Sequence, residues 1–184
     1  MYKIEIFFIH KKENKEKKEK ERKIMSSSII RSFSKYIEHS TIDDSNTLFP
    51  IDDNLLTCLI SSKIIDISID ECIRIILKSG LVTNEHLEGT IIYAINILNL
   101  IKMKGLYLNN LTCHRLVIIS LLLASKLYDD QYIINSEWSR ICGIPNTELN
   151  KMESNICKIL NFNLFIIITP EKSLYIYNSL IYSY

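Results

Sequence analysis

Glycine and proline are scarce in this chain, with four of the first and three of the second in 184 residues. An all-β domain of this length needs many tight turns that lean on both residues, so the shortage excludes one. The five cysteines, at 58, 72, 113, 142 and 157, are odd in number, and no two are close enough for a CxxC pair. This argues against a disulfide framework and a zinc site and points to buried thiols in a reducing compartment. Neither sign of charge dominates. The formal charge is +1, so no general field holds nucleic acid or an anionic membrane. No apolar run reaches the ~18 residues that span a bilayer. The opening "MYKIEIFFIH" has a short apolar patch, but its positive charges mostly follow the patch and no small-residue cleavage site appears, so no signal peptide is expected.

Motifs that carry chemistry are missing too. There is no GxGxxG, GxxxxGK[ST], HExxH, GxSxG or EF-hand loop. His86 has acids nearby but no second histidine at metal-ligand spacing, and reads as a surface histidine. Cys113 and His114 are adjacent and diverge by about 100° on a helix, which disfavours a thiolate dyad. His114-Arg115 is followed by leucine rather than aspartate, unlike a kinase catalytic loop. No catalytic residue, cofactor site or metal site is assigned, and the chain reads as a binding module.

What is present is an apolar fraction of 47% against 23% charge, enough for a real core. Residues 11–23, "KKENKEKKEKERK", are a solvated mixed-charge run, and the stretch after Met25 is polar and turn-rich. Residues 1–48 are therefore expected to be a flexible extension outside the core. Helix signals recur from Pro50 onward. Asp52 can cap a helix carrying Leu55, Leu56, Leu59, Ile60 and Ile64. Ser68 and Glu71 form a capping box, and Gly80 closes that helix. Asn84 and Glu85 start the next, with Leu87, Ile91, Ile95, Leu98 and Ile101 on one face until Gly105. Residues 111–127 are apolar on every side, the mark of a helix surrounded by others. A short helix from Asn135 to Cys142 ends at Gly143. Asn146 is expected to cap the next, which carries Leu149, Met152, Ile156, Ile159 and Leu160. "NLFIIIT" at 163–169 is read as a buried extended linker rather than a strand, and Thr169-Pro170-Glu171 as a helix start.

Two charges sit beside apolar stripes. On a helix over 146–160, with Leu149 at zero, the stripe falls within about −80° to +20°, Glu153 near about +40° and Cys157 near about +80°. Lys126 ends the most apolar helix, where the dipole favours a cation. Locally, Lys126 caps its own helix and Glu153 reaches water. Alternatively both flank an apolar patch used by a partner, fixing register and selectivity.

The stretch "LLLASKLYDDQYIINSEWSRICGIPNTELNKMESNICKILNFNLFI" resembles the core of the cyclin box, in particular that of the P-type (P/U-type) cyclins. The residues carrying the likeness are Lys126, Asp129, Asp130, Tyr132, Gly143, Ile144, Glu148, Leu149, Asn150, Glu153, Leu160 and Phe162. Upstream, "SIDECIRIIL" and "LEGTIIYAINIL" fit the first two box helices, and Pro50 to Ile67 fits an extra preceding helix. One departure is that Asn99 and Leu100 stand where the family usually has Asp-Arg.

The resemblance implies an all-α fold: a single cyclin box, five helices around a central buried one, with an extra preceding helix and a C-terminal helix. The domain spans 49–182, its box core about 66–165. It implies a non-catalytic regulatory subunit that binds and activates a cyclin-dependent protein kinase in cell-cycle or nutrient and phosphate-type control. Kinase contacts carry over to Lys126, Glu153, Leu127, Cys157, Phe162 and Leu164, and an activation-loop contact to Asp129 and Asp130. Neither a membrane nor nucleic acid is expected as a partner, and the location is intracellular, nuclear and/or cytoplasmic. The alternative is a cyclin-fold transcription factor or nucleic-acid-associated adaptor.

Overall fold

The structure, a computed structural model, describes residues 27–42, 51–62, 65–83, 85–130 and 133–164, together with Glu171, Tyr175, Ile176, Asn178 and Leu180. Expectations for residues 1–26, Ile64, Asn84, Tyr132, most of the 163–169 linker and the Thr169-Pro170 helix start lie outside the described residues. Among those described there is no strand, only an isolated parallel bridge between Ile42 and Asn109. The helices are α1 (27–40), α2 (Asp53–Leu56), α3 (Ile69–Lys78), α4 (Leu87–Met103), α5 (Cys113–Tyr128), α6 (Asn135–Cys142) and α7 (Asn146–Ile159). Glu171, Tyr175, Ile176, Asn178 and Leu180 are also helical.

The helix apolar on all sides is the centre of the bundle. Every residue of α5 from Leu116 to Ser125 is buried, with Leu116, Val117, Ile119, Leu121, Leu122 and Ala124 fully so. α4 lies along it and buries almost its whole length. α3, α6 and α7 pack around the pair, and Trp138 of α6 is completely enclosed. Burial of this much branched aliphatic surface is the main force holding the bundle together.

Local signals fix the ends. Ser68 Oγ accepts the Glu71 N–H at 3.2 Å and caps α3. Gly80, Gly105 and Gly143 all have φ between 68° and 87°, which glycine adopts without a Cβ clash. Two expected starts are displaced. α4 begins at Leu87 after His86, and α7 begins at Asn146 itself with Pro145 before it, so Asn146 does not cap it.

The N-terminal boundary also differs. Residues 27–42 do not lie outside the core. Phe33 and Ile37 are fully buried, and Ile29 and Ile30 nearly so. Their spacing of about four residues makes one apolar helical face. The preceding helix is therefore α1, whereas the Pro50–Ile67 segment contributes the single turn of α2. The reason is capture of its carbonyls. Leu55 O accepts from Asn155 Nδ2 at 3.0 Å, and Cys58 O from Arg115 Nη1 at 2.8 Å. These tertiary donors take up acceptors that a continuing helix would need.

All five cysteines are free thiols. Burial pushes Cys72 up to about 11 and Cys142 up to about 12, so neither is a ready nucleophile near neutral pH.

Candidate functional site

Lys126 lies in the last turn of α5 and Glu153 in the middle of α7. The packing of α7 on α5 that buries Met152 and Ile156 carries Glu153 to the margin of the contact, as its helical angle requires. There Lys126 Nζ meets Glu153 Oε1 at 2.6 Å, with the two side chains 24% and 23% exposed. A pair so placed is partly shielded from water yet reachable from outside. Asn135, the first residue of α6, adds a third group, its Nδ2 donating to Glu153 Oε2 at 2.6 Å and to Asn150 Oδ1 at 2.7 Å. Residue spacing singles out Lys126 and Glu153 but not Asn135, which is joined to them only through the tertiary packing of α6.

Of the other expected contact residues, Leu127 follows Lys126 in α5, Cys157 lies in α7, and Phe162 and Leu164 lie beyond its end. Cys157 stands one turn beyond Glu153 and is half-buried. Its thiol is pushed up by burial first and by Glu153 second, with Lys126 acting in the opposite sense. α7 then ends in a Schellman cap. The Asn161 N–H donates to Lys158 O at 2.9 Å and the Phe162 N–H to Cys157 O at 2.7 Å. The cap explains the left-handed Asn161, φ 52°. It does not explain Phe162, which is left-handed as well, φ 56°, and 69% exposed. A bulky residue held at positive φ with its ring in solvent is the kind of local strain that clusters at binding sites. Leu127 and Leu164 are half-buried and rest against the core. Ile134, 59% exposed, adds an apolar side chain directly before Asn135.

Asp129 and Asp130 differ from each other. Asp129, with an 11% exposed side chain, lies 3.0 Å from His86 Nδ1, whereas Asp130 is exposed. The Asp129 carboxylate beside it, more than any other influence, holds the His86 ring above its ordinary value, with Glu85 and Asp130 charge in support. His86 also meets Tyr128 edge-on at 5.7 Å, and Tyr128 leans on Tyr93 at 5.3 Å. The Tyr128 ring lies so close over Gly89 that a Cβ there would fall within it. His86 is therefore a clasp between the start of α4 and the end of α5.

A second ion pair is structural. Arg115 Nη1 reaches Glu148 Oε1 at 2.7 Å while also holding Cys58 O. It ties the beginnings of α5 and α7 to the α2 segment, a role its place inside an apolar helix does not announce. Asn99, in the position of the absent Asp-Arg, accepts the Tyr36 hydroxyl at 3.1 Å and so anchors α1. Among the described residues no cluster of three metal-ligating side chains occurs, and no helix is long and apolar enough to cross a membrane.

The family model described as Cyclin matches residues 8–164. The PHO85 cyclin-like protein psl1 of Schizosaccharomyces pombe is 33% identical over 111 residues, covering 59% of this chain and 45% of that protein. Cyclin-U3-1 of Arabidopsis thaliana is 39% identical over 57 residues, 31% of this chain and 26% of its own length. Cyclin-P3-1 of Oryza sativa subsp. japonica is 36% identical over 58 residues, 32% of this chain and 25% of its own. The chain thus spans less than half the length of each of these relatives.

Proposed function

The chain belongs to the cyclin family, and on that premise we propose that it is a non-catalytic subunit that binds and activates a cyclin-dependent protein kinase. The observation that carries the reading is the Lys126–Glu153 pair, 2.6 Å apart and about three-quarters shielded at the edge of the α5–α7 contact. It presents both signs of charge side by side, with Leu127 and Cys157 next to it and the exposed ring of Phe162 beyond the end of α7. Such a surface is polar enough to fix register and apolar enough to be worth covering. The partner element is the kinase's mobile αC helix. Pressed into place, it sets the Lys–Glu ion pair inside the kinase and orders the activation loop for phosphoryl transfer.

Asp130, exposed beyond the end of α5, is the better placed of the two aspartates to meet arginines near the activation loop. Asp129 already serves His86, so a kinase arginine would have to compete for it. The regulatory setting we propose is cell-cycle or nutrient and phosphate-type control, in keeping with the P- and U-type names among the relatives and with the PHO85 cyclin-like one.

The test is the double variant Lys126→Ala/Glu153→Ala. The tagged full chain is first used to isolate its kinase from cells, and the purified kinase subunit is then assayed for binding and activation. A partly exposed ion pair contributes at most about 1 kcal/mol to folding. The variant should therefore keep its helicity and melt within about 4 °C of the parent while losing kinase binding. Retained binding by the folded variant would overturn the reading. Unfolding of the variant would instead give the pair a structural role.

A further inference from the structure

Asn135 is fixed by the pair's own geometry. Glu153 has two carboxylate oxygens, and each takes one donor from a different helix: Oε1 from Lys126 of α5 and Oε2 from Asn135 of α6, both at 2.6 Å. The carboxylate is thereby held in rotation about its last bond. The Asn135 amide cannot turn over, because Oδ1 would then face Glu153 Oε2, acceptor against acceptor. That orientation leaves Asn135 Oδ1 buried with no donor among the described residues. A buried acceptor without a donor costs free energy, and folded proteins keep few of them. Here the loss is accepted at a half-buried surface cluster where a different side chain would avoid it.

We propose that Asn135 is a positioning residue for the kinase contact. It locks the Glu153 carboxylate in the orientation in which Lys126 and Glu153 meet the kinase together, before the kinase arrives. This rests on the reading of those two residues given above. Asn135 acts through Glu153, whose Oε2 accepts from its Nδ2. Without it the carboxylate rotates, and the cost of ordering it falls on association.

The test uses the full chain in two measurements. In the free protein, the Asn135 side-chain amide signal in a nitrogen–proton NMR spectrum should move when Glu153 is changed to Gln. An unmoved signal overturns the proposal. With the purified kinase subunit, Asn135→Ala and the isosteric Asn135→Asp are measured alone and on top of Glu153→Ala. Asn135→Ala should weaken binding about tenfold in the parent and less than about twofold when Glu153 is already alanine. Asn135→Asp, which sets a second negative charge beside Glu153, should weaken it further. Equal losses in both backgrounds, or full affinity in Asn135→Ala while Glu153→Ala binds poorly, would overturn the proposal alone. Full affinity in Glu153→Ala would overturn the contact-pair reading and this proposal with it.

Discussion

Phe162 offers a perturbation in which folding and binding part company. Two contributions to stability oppose each other when it is replaced by glycine. Holding a bulky residue in the left-handed region costs about 1–2 kcal/mol, which glycine releases, less about 0.5–1 kcal/mol for the extra freedom it has when unfolded. Against this stands the lost burial. The residue is 69% exposed, so about a third of a ring worth roughly 200 Å² is covered, which at about 25 cal/mol per Å² is at most ~1.5 kcal/mol. The two nearly cancel, and Phe162→Gly should melt within about 4 °C of the parent. Binding has no such compensation. An aromatic hot spot in a contact costs at least about 2 kcal/mol on truncation, or about thirtyfold in affinity. Differential scanning fluorimetry and titration calorimetry against the purified kinase measure the two effects separately. Unchanged affinity in the folded variant would refute the contact. A fall in melting temperature well beyond that range would show that the ring supports the fold.

Arg115→Met should behave oppositely. It leaves Glu148 and Cys58 O without their donor, costs about 2–4 kcal/mol, and lowers the melting temperature by roughly 5–12 °C, as thermal unfolding will show. The His86–Asp129 clasp makes stability depend on pH. The folded-state value of His86 is raised, so its contribution is fully present below the ordinary histidine value near 6.5. It is lost as pH rises through the raised value. The melting temperature gap between the parent and Asp129→Asn should therefore be larger at pH 5.5 than at pH 8.5; a gap that is constant or grows with pH would contradict the pairing.

The parts of the fold legible from sequence were those with local causes. The all-round apolarity of α5 marked it as the centre, because only a surrounded helix can be apolar on every side. The glycines at 80, 105 and 143 marked helix ends because nothing else sits at positive φ so easily. α1 is hard to see in the sequence although Ile29, Phe33 and Ile37 repeat every four residues. Serines and charges surround them, and composition averaged over the stretch outweighed a three-residue stripe. The apolar spacing of the α2 segment predicts a longer helix than forms, because what stops it is Asn155 and Arg115, far away in sequence. In the candidate site, helical angle placed Glu153 and Cys157 on one margin, and likeness to the family paired Glu153 with Lys126. Asn135 and the strain at Phe162 could not be read in that way. One needs the docking of α6 on α7, the other the backbone angles past a helix end.

The capture of the α2 carbonyls bears on how this protein assembles. Its two tethers reach across 57 and 100 residues of chain. Contacts of such separation form only after much of the intervening chain has been ordered, since closing the loop costs entropy that nothing local repays. A single helical turn has no stability of its own. The 51–62 segment is therefore expected to dock late, on a bundle already built, and its amides should be among the first to exchange with solvent when the bundle loosens. It acts as a fastener whose closure reports that α5 and α7 have found each other.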